Sequence, residues 1–308
     1  MTLLELNAHV EDGTIDETIR VEEARQRKAL SKIADDFCTR PKKRLILLAG
    51  ASSAGKTTTA KRLCTQLRVN GVEPQMLSTD DYFVGDRLNP RDENGELDYE
   101  HVECVDIRRL SADVNRLLAG EPIPQRRFDF EKHEGYFTET MLSLAKGGCV
   151  VIEGIHALNP RLTEGIDDEV KYRLFIDPQP DFEIVEGIVP TSAEARFLRR
   201  LVRDNQFRKT SPVRTLELWP KVLAGEKKWI EPFVGNADAK FNSYLPYEIA
   251  VLKPYVGGLL ERVRREVGDD RLVMNMLRLI RPVYSAPMLA VPGDSILRET
   301  IGGSQLEY

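Results

Sequence analysis

The sequence predicts an α/β fold, a doubly wound and mainly parallel sheet with helices on both faces. Three observations carry this. From residue 44 onward, short apolar runs alternate with helix-like segments. A glycine-rich turn joins the first such run to the first such helix, and no apolar run in the 308 residues approaches membrane-spanning length.

The elements follow in order. Residues 15–38 are rich in Glu, Arg, Lys and Ala with apolar positions at helical spacing, and Thr39-Arg40-Pro41-Lys42-Lys43 then breaks the helix. Residues 1–43 are therefore expected to form an N-terminal helical extension laid on the main domain. Strands are expected at 44–49, 74–78, 149–153 and 171–176, and helices at 57–69, 107–119, 194–206 and 213–223. The main domain spans 44–265 with a helical segment at about 194–225 lying over the site, and 266–308 should supply a C-terminal helix and an extended tail docking on the core. In such sheets ligands bind at the carboxyl ends of the strands.

Composition narrows the function classes. A hydrophobic content of 42% and a charged content of 30% are ordinary for a soluble globular chain. The net charge of -5 argues against a broad nucleic-acid surface. No basic, apolar leader opens the chain, so no membrane association and a cytoplasmic location are expected. Cys38, Cys64, Cys104 and Cys149 form no C-x-x-C pair and read as reduced thiols, which leaves little basis for zinc.

The segment Gly50-Ala51-Ser52-Ser53-Ala54-Gly55-Lys56-Thr57 fits G-x-x-x-x-G-K-[ST] without a gap. Glycines let the backbone curl so that N–H groups from Gly50 through Thr58 face phosphate oxygens. Lys56 can neutralise the β- and γ-phosphates, and the Thr57 hydroxyl can ligate Mg²⁺. The following helix presents its N-terminus to the anion. A nucleoside triphosphate, ATP or GTP, is the expected ligand of this P-loop (Walker A) segment.

Other clusters fall at strand ends. Ser78-Thr79-Asp80-Asp81 places two carboxylates after the second strand, suited to a Mg²⁺ site, to a base for a substrate hydroxyl, or to capping a turn. Glu153 closes an apolar strand, where a carboxylate can hold Mg²⁺ through water or simply face solvent. Arg196, Arg199, Arg200 and Arg203 share one helix face, with Arg208 a turn later. They read either as a salt-bridged basic face or as a mobile, arginine-bearing helical lid over the phosphates. Arg127-Phe128-Asp129-Phe130-Glu131-Lys132-His133 reads as a nucleobase platform or as a packed aromatic hairpin.

Taken together and in this order, the segments resemble the uridine kinase and phosphoribulokinase family of P-loop kinases over about residues 44–250. The specific carriers are Asp80-Asp81-Tyr82-Phe83, Phe128-Asp129-Phe130 with His133, Glu153-Gly154-Ile155 and Arg199-Arg200-Leu201-Val202-Arg203-Asp204. Asn89-Pro90-Arg91-Asp92-Glu93, Glu153 through Asn159, Phe241-Asn242-Ser243 and the tail from Ser295 to Ser304 are similar to a bacterial uridine kinase-like (nucleoside kinase) subgroup. That subgroup often carries a threonyl-tRNA synthetase-like segment ahead of the kinase, which is not expected here.

The resemblance implies roles position by position. Asp80 matches the catalytic base, acting with Lys56 and Arg203. Thr57, Asp80 and Glu153 match the Mg²⁺ environment, and Asp98 matches the acid that holds ribose hydroxyls. Phe83, Phe128, Phe130 and His133 match the lining of the base pocket, while Arg200, Arg203 and Arg208 match lid arginines contacting substrate and phosphates. Two departures stand out: Phe83 and Phe128 replace tyrosines, and a glutamine expected after the lid is not evident near Glu217-Leu218-Trp219.

The expected function is transfer of a γ-phosphate to a small-molecule acceptor, foremost the 5′-hydroxyl of a ribonucleoside such as uridine or cytidine. A sugar phosphate or other polyol is the alternative acceptor. A nucleotide-dependent regulator is the alternative of a different class, against which stands the lack of an [NT]-K-x-D motif of the GTPase type. Family members often form a homo-oligomer, for which the 15–38 helix is available.

Overall fold

The computed structural model describes residues 1–185 and 187–306; the last two residues of the expected tail, Glu307 and Tyr308, lie outside them. The strands are β1 (Leu45–Gly50), β2 (Pro74–Ser78), β3 (Ile123–Asp129), β4 (Glu134–Leu142), β5 (Cys149–Glu153), β6 (Lys171–Asp177) and β7 (Ala239–Asn242). Five of them form one wholly parallel sheet in the order β2-β5-β1-β6-β7. β3 and β4 pair separately as an antiparallel hairpin, so the aromatic segment after Arg127 does lie in a hairpin.

The helices are α1 (Leu3–Glu11), α2 (Ile15–Cys38), α3 (Lys56–Val69), α4 (Ile107–Leu118), α5 (Ser192–Phe207), α6 (Pro212–Trp229), α7 (Glu248–Val267), α8 (Arg271–Ile280) and the single turn α9 (Arg298–Ile301). Strand periodicity sorts β1 between two cores. Ile46 and Leu48 pack with residues of α2 and α3, and Leu45, Leu47 and Ala49 pack on the opposite face with residues of α4. A third core gathers α5 through α8 and receives Leu297 and Ile301 of the tail.

The N-terminal extension is built into this framework. In α2, Leu30, Ile33, Ala34 and Phe37 are buried, and the fully enclosed Glu23 accepts from the Tyr247 hydroxyl at 2.7 Å and pairs with Arg62 at 3.3 Å. α7 runs unbroken through Pro254. Proline has no N–H for the carbonyl four residues back. Ala250 O instead accepts the N–H of Ala286 at 3.0 Å, so the tail supplies the bond the helix cannot make.

Register positions the site. Ser78 lies beside Glu153, Leu48 beside Glu153, and Gly50 beside Ile176. The carboxyl ends of β2, β5, β1 and β6 therefore line up, and everything that follows those strands opens onto one edge of the sheet.

Candidate active site

The loop after β1 is held from outside by its carbonyls. Arg196 Nη1 donates to Ser52 O at 3.4 Å, and Arg199 Nη1 donates to Ser53 O at 3.4 Å and Ala54 O at 3.5 Å. The Ser243 hydroxyl also donates to Ala54 O, at 2.6 Å. Carbonyls fixed on the outer side leave the concave side to amide N–H groups, the arrangement that receives phosphate. Ala54 departs from the expectation for the loop, since its N–H is spent on Ala51 O at 3.1 Å. Ser53 (φ 63°) and Gly55 (φ 87°) take the left-handed conformation that turns the chain into α3. Lys56, Thr57 and Thr58 then occupy the first turn of α3, and Lys56 Nζ curls back to donate to Ala51 O at 3.2 Å.

An acidic, oxygen-only cluster faces that helix terminus. The buried Glu153 carboxylate accepts from Ser78 Oγ at 2.6 Å and Thr57 Oγ1 at 3.3 Å. Burial, reinforced by the charge of Asp80, pushes the Glu153 carboxyl up to about 7, with Lys56 opposing the shift. Asp80 and Asp81 share the 3-10 turn Thr79–Tyr82 but face different partners. Asp81 pairs with Arg127 of the hairpin at 3.0 Å, whereas Asp80 is exposed and acts on Glu153, leaving Asp80 as the one aimed at the site.

A pH dependence follows. Between about 4.5 and about 7 the folded protein keeps a proton on Glu153 that the unfolded chain has released, so this carboxyl weakens the fold as pH rises through that window. Glu153→Gln should therefore gain stability over the parent progressively from about pH 4.5 to about 7 and then hold a constant lead. Denaturant midpoints of the two proteins across that range measure the difference, and parallel curves would contradict the shift.

The arginines of α5 divide into two sets. Arg196 and Arg199 are sealed in the core, Arg196 on Glu226 at 2.8 Å and Arg199 on Glu248 at 2.5 Å. Beside the backbone contacts of Arg196 and Arg199, Arg200 reaches a loop side chain and Arg203 lines a small pocket with Ser53 and Gly55. Arg200 Nη1 donates to Ser52 Oγ at 2.7 Å, and Asp204 holds Arg200 at 3.2 Å and Arg203 at 2.7 Å. Arg208, at the C-terminus of the helix, reaches to 4.0 Å from Asp204 and feels the charge of Asp80. The helix carries its arginines over the phosphate loop as expected. Phe197, Leu198, Leu201 and Val202 seat α5 in the largest core.

Across the site, Phe83, Phe128 and Phe130 pack edge to face with centroids 5.1 to 5.9 Å apart. His133 Nδ1 lies 3.1 Å from Asp86, which also accepts from the Tyr99 hydroxyl at 2.7 Å. Of the four expected pocket residues, Phe83, Phe128 and Phe130 pack together, while His133 sits with Asp86 and Tyr99. Asp98 Oδ1 caps a turn by accepting the Glu100 N–H at 3.0 Å. The carboxylate that meets the phosphate side is Glu100, raised to about 7 by burial against the opposing pull of Arg200 and Lys56. α6 closes on it at Gly225, where a Cβ would sit 2.4 Å from Glu100 Cβ.

Sequence reasoning missed Glu100. The available signal was the doublet Asp98-Tyr99-Glu100, of which only the first acid was singled out. It also missed His156, fully buried, its pKa pushed down to about 3 by burial beside His101 and Lys56, with the backbone of Glu100 and His101 opposing the shift. His156 is therefore a neutral imidazole behind the site.

Comparison with known proteins gives the family. The model of the Phosphoribulokinase / Uridine kinase family matches residues 45–249. A uridine kinase of Deinococcus deserti is 29% identical over 195 residues, covering 63% of this chain and 84% of that protein. A uridine kinase of Bacillus licheniformis is 26% identical over 195 residues, covering 63% and 83%. Among solved structures, one described as a possible uridine kinase from Bacillus stearothermophilus superposes with a TM-score of 0.47 at 18% identity, covering 71% of this chain and 100% of that one.

Proposed function

We propose, for a chain that belongs to the phosphoribulokinase / uridine kinase family and is a small-molecule phosphotransferase acting on a hydroxyl group, that it moves the γ-phosphate of ATP to the 5′-hydroxyl of a ribonucleoside such as uridine or cytidine. What supports the acceptor class is that the Phe83–Phe128–Phe130 cluster lies on the hairpin while a partly buried carboxylate, Glu100, stands within the field of Arg200 and Lys56. Aromatic rings suit a base, and a carboxylate suits ribose hydroxyl donors rather than an anionic group. The hairpin's guanidiniums are already engaged, Arg126 on the carbonyls of Asp81 at 3.0 Å and Phe83 at 2.9 Å, and Arg127 on the Asp81 carboxylate. That leaves them poorly placed to receive a phosphorylated sugar.

In this reading Asp80 accepts the proton of the attacking hydroxyl, and Lys56, Arg200 and Arg203 hold the charge that spreads over the transferring group. Glu100 fixes the ribose, and Asp98 shapes the turn that presents Glu100. Thr57, Glu153 and Asp80 would hold Mg²⁺. A hydroxyl with carboxylates is the donor set that ion takes alongside phosphate oxygens, and the proton that burial keeps on Glu153 is the one a cation would displace. No group of three or more Asp, Glu, His or Cys side chains able to hold a metal by themselves occurs among the described residues. No helix among them is long and apolar enough to cross a membrane.

The test is incubation with ATP and Mg²⁺ against a panel of nucleosides and sugar phosphates, read by mass spectrometry. A nucleoside gaining one phosphoryl mass supports the reading. Phosphorylation confined to sugar phosphates, or ADP release that no acceptor changes, overturns it.

A further inference from the structure

Far from the loop in sequence, the tail comes back to touch it. Ile296 seats its Cγ2 2.5 Å from where Gly55 would carry a Cβ, so the tail fills the space beside the loop's second glycine. Three residues on, Glu299 Oε2 accepts from the Thr58 hydroxyl at 3.1 Å. Glu299 is only partly buried, while its neighbours Ile296, Leu297, Arg298, Thr300 and Ile301 are buried. Arg298 ties the segment into a fixed shape by donating to the carbonyls of Pro292 (3.3 Å), Met288 (3.0 Å), Gly302 (3.2 Å) and Val291. Arg27 of α2 pins Asp294 from the other side at 3.4 Å. This carboxylate is therefore held in place at the loop rather than trailing there.

Arg199 and Arg203 line the same small pocket as Glu299, beside Ser53 and Gly55 of the loop, yet among the described residues neither pairs with the Glu299 carboxylate. A carboxylate beside the helix terminus that receives phosphate repels that phosphate, and it also adds to the upward push on Glu153. An ionised carboxylate only accepts hydrogen bonds. With Lys56 reaching for the β- and γ-phosphates and the Thr57 hydroxyl for Mg²⁺, the α-phosphate is left to backbone amides of the loop and the first turn of α3, where Thr58 stands. The hydroxyl donors that a nucleoside triphosphate offers just beyond its α-phosphate are those of its ribose. The half-exposed Phe207 ring at the end of α5, whose Cζ comes within 3.1 Å of where Gly302 would carry a Cβ, provides an aromatic surface beside the tail.

We propose that the tail from Ser295 to Gly303 forms the nucleoside end of the phosphate-donor site, with Glu299 accepting a hydrogen bond from the donor's ribose hydroxyls. The chain is thereby selective for ribonucleoside over deoxyribonucleoside triphosphates. This rests on the reading of the loop as a triphosphate site but not on the identity of the acceptor.

Calorimetry of the full chain with ADP, 2′-deoxy-ADP and 3′-deoxy-ADP tests it. The parent should bind ADP about tenfold or more tightly than at least one deoxy analogue, the scale of a hydrogen bond to a charged group. Glu299→Ala should shrink that ratio to within about twofold, and Glu299→Asp, which keeps the charge one methylene shorter, should retain part of it. Equal binding of all three nucleotides by the parent overturns the proposal without any variant, as does an undiminished ratio in a folded Glu299→Ala protein. A parent that binds nucleotides with ribose selectivity yet phosphorylates no nucleoside sinks only the acceptor assignment. A parent that phosphorylates nucleosides with no ribose selectivity for its donor sinks only this one.

Discussion

Asp80→Asn is expected to lower turnover by about 10²–10⁴-fold while nucleotide affinity stays within a few-fold of the parent. The substitution preserves shape and an oxygen that can still face Mg²⁺, and it removes the basicity needed to take the proton of the attacking hydroxyl. The fold should be indifferent to it. Asp80 is exposed on its 3-10 turn, that turn is capped through the Asp80 backbone N–H on Ser78 Oγ at 3.3 Å, and no hydrogen bond among the described residues uses the carboxylate. Loss of its charge also removes one of the groups that raise Glu153, so the variant's carboxyl cluster should ionise at lower pH. ADP production with a saturating acceptor and calorimetric ADP affinity, measured on the same preparation, separate chemistry from binding. Turnover within about tenfold of the parent would remove Asp80 from the role of base.

How much of this was open to the sequence depends on how local each interaction is. The phosphate loop was legible because strand, glycines, lysine and hydroxyl are contiguous. The arginine face of α5 was legible as a spacing, but its division was not. Glu226 and Glu248, which bury Arg196 and Arg199, lie 30 and 49 residues further along the chain, and neither had a local reason to be noticed. Glu100 was overlooked because Asp98 and Glu100 sit in an irregular turn, where spacing carries no face information, and packing against Gly225 decides which acid points inward. α7 was obscured by Pro254, whose cost is met by the N–H of Ala286. β7 has four residues, one of them buried, too short for a period-2 pattern to register. The tail was recognised as docking, yet its contact with Thr58 joins residues 241 apart, which only the folded chain reveals.

The largest effect on stability is expected from Glu248→Leu. Glu248 and Arg199 are each about 2% exposed, joined by Nε–Oε1 at 3.0 Å and Nη2–Oε2 at 2.5 Å, and Glu248 Oε2 also accepts the Leu245 N–H at 3.0 Å. Removing the carboxylate strands a guanidinium whose remaining acceptors are backbone carbonyls, which typically costs about 3–5 kcal/mol, a large part of the 5–15 kcal/mol or so that holds an ordinary domain together. A double replacement, Arg199→Met with Glu248→Leu, removes the stranded charge and should recover most of the loss, since a buried pair exchanged for apolar side chains of similar volume is often neutral. Nucleotide affinity should not recover with it. Arg199 is also the donor to Ser53 O and Ala54 O, so without it the outer side of the phosphate loop loses part of its hold, and the amides facing inward become less ordered. Urea unfolding and ADP calorimetry on the parent, the single variant and the double variant make the comparison. A loss below about 1 kcal/mol in the single variant would deny the pair its structural weight. A double variant that regains both stability and parental ADP affinity would show that Arg199 holds the core and not the loop.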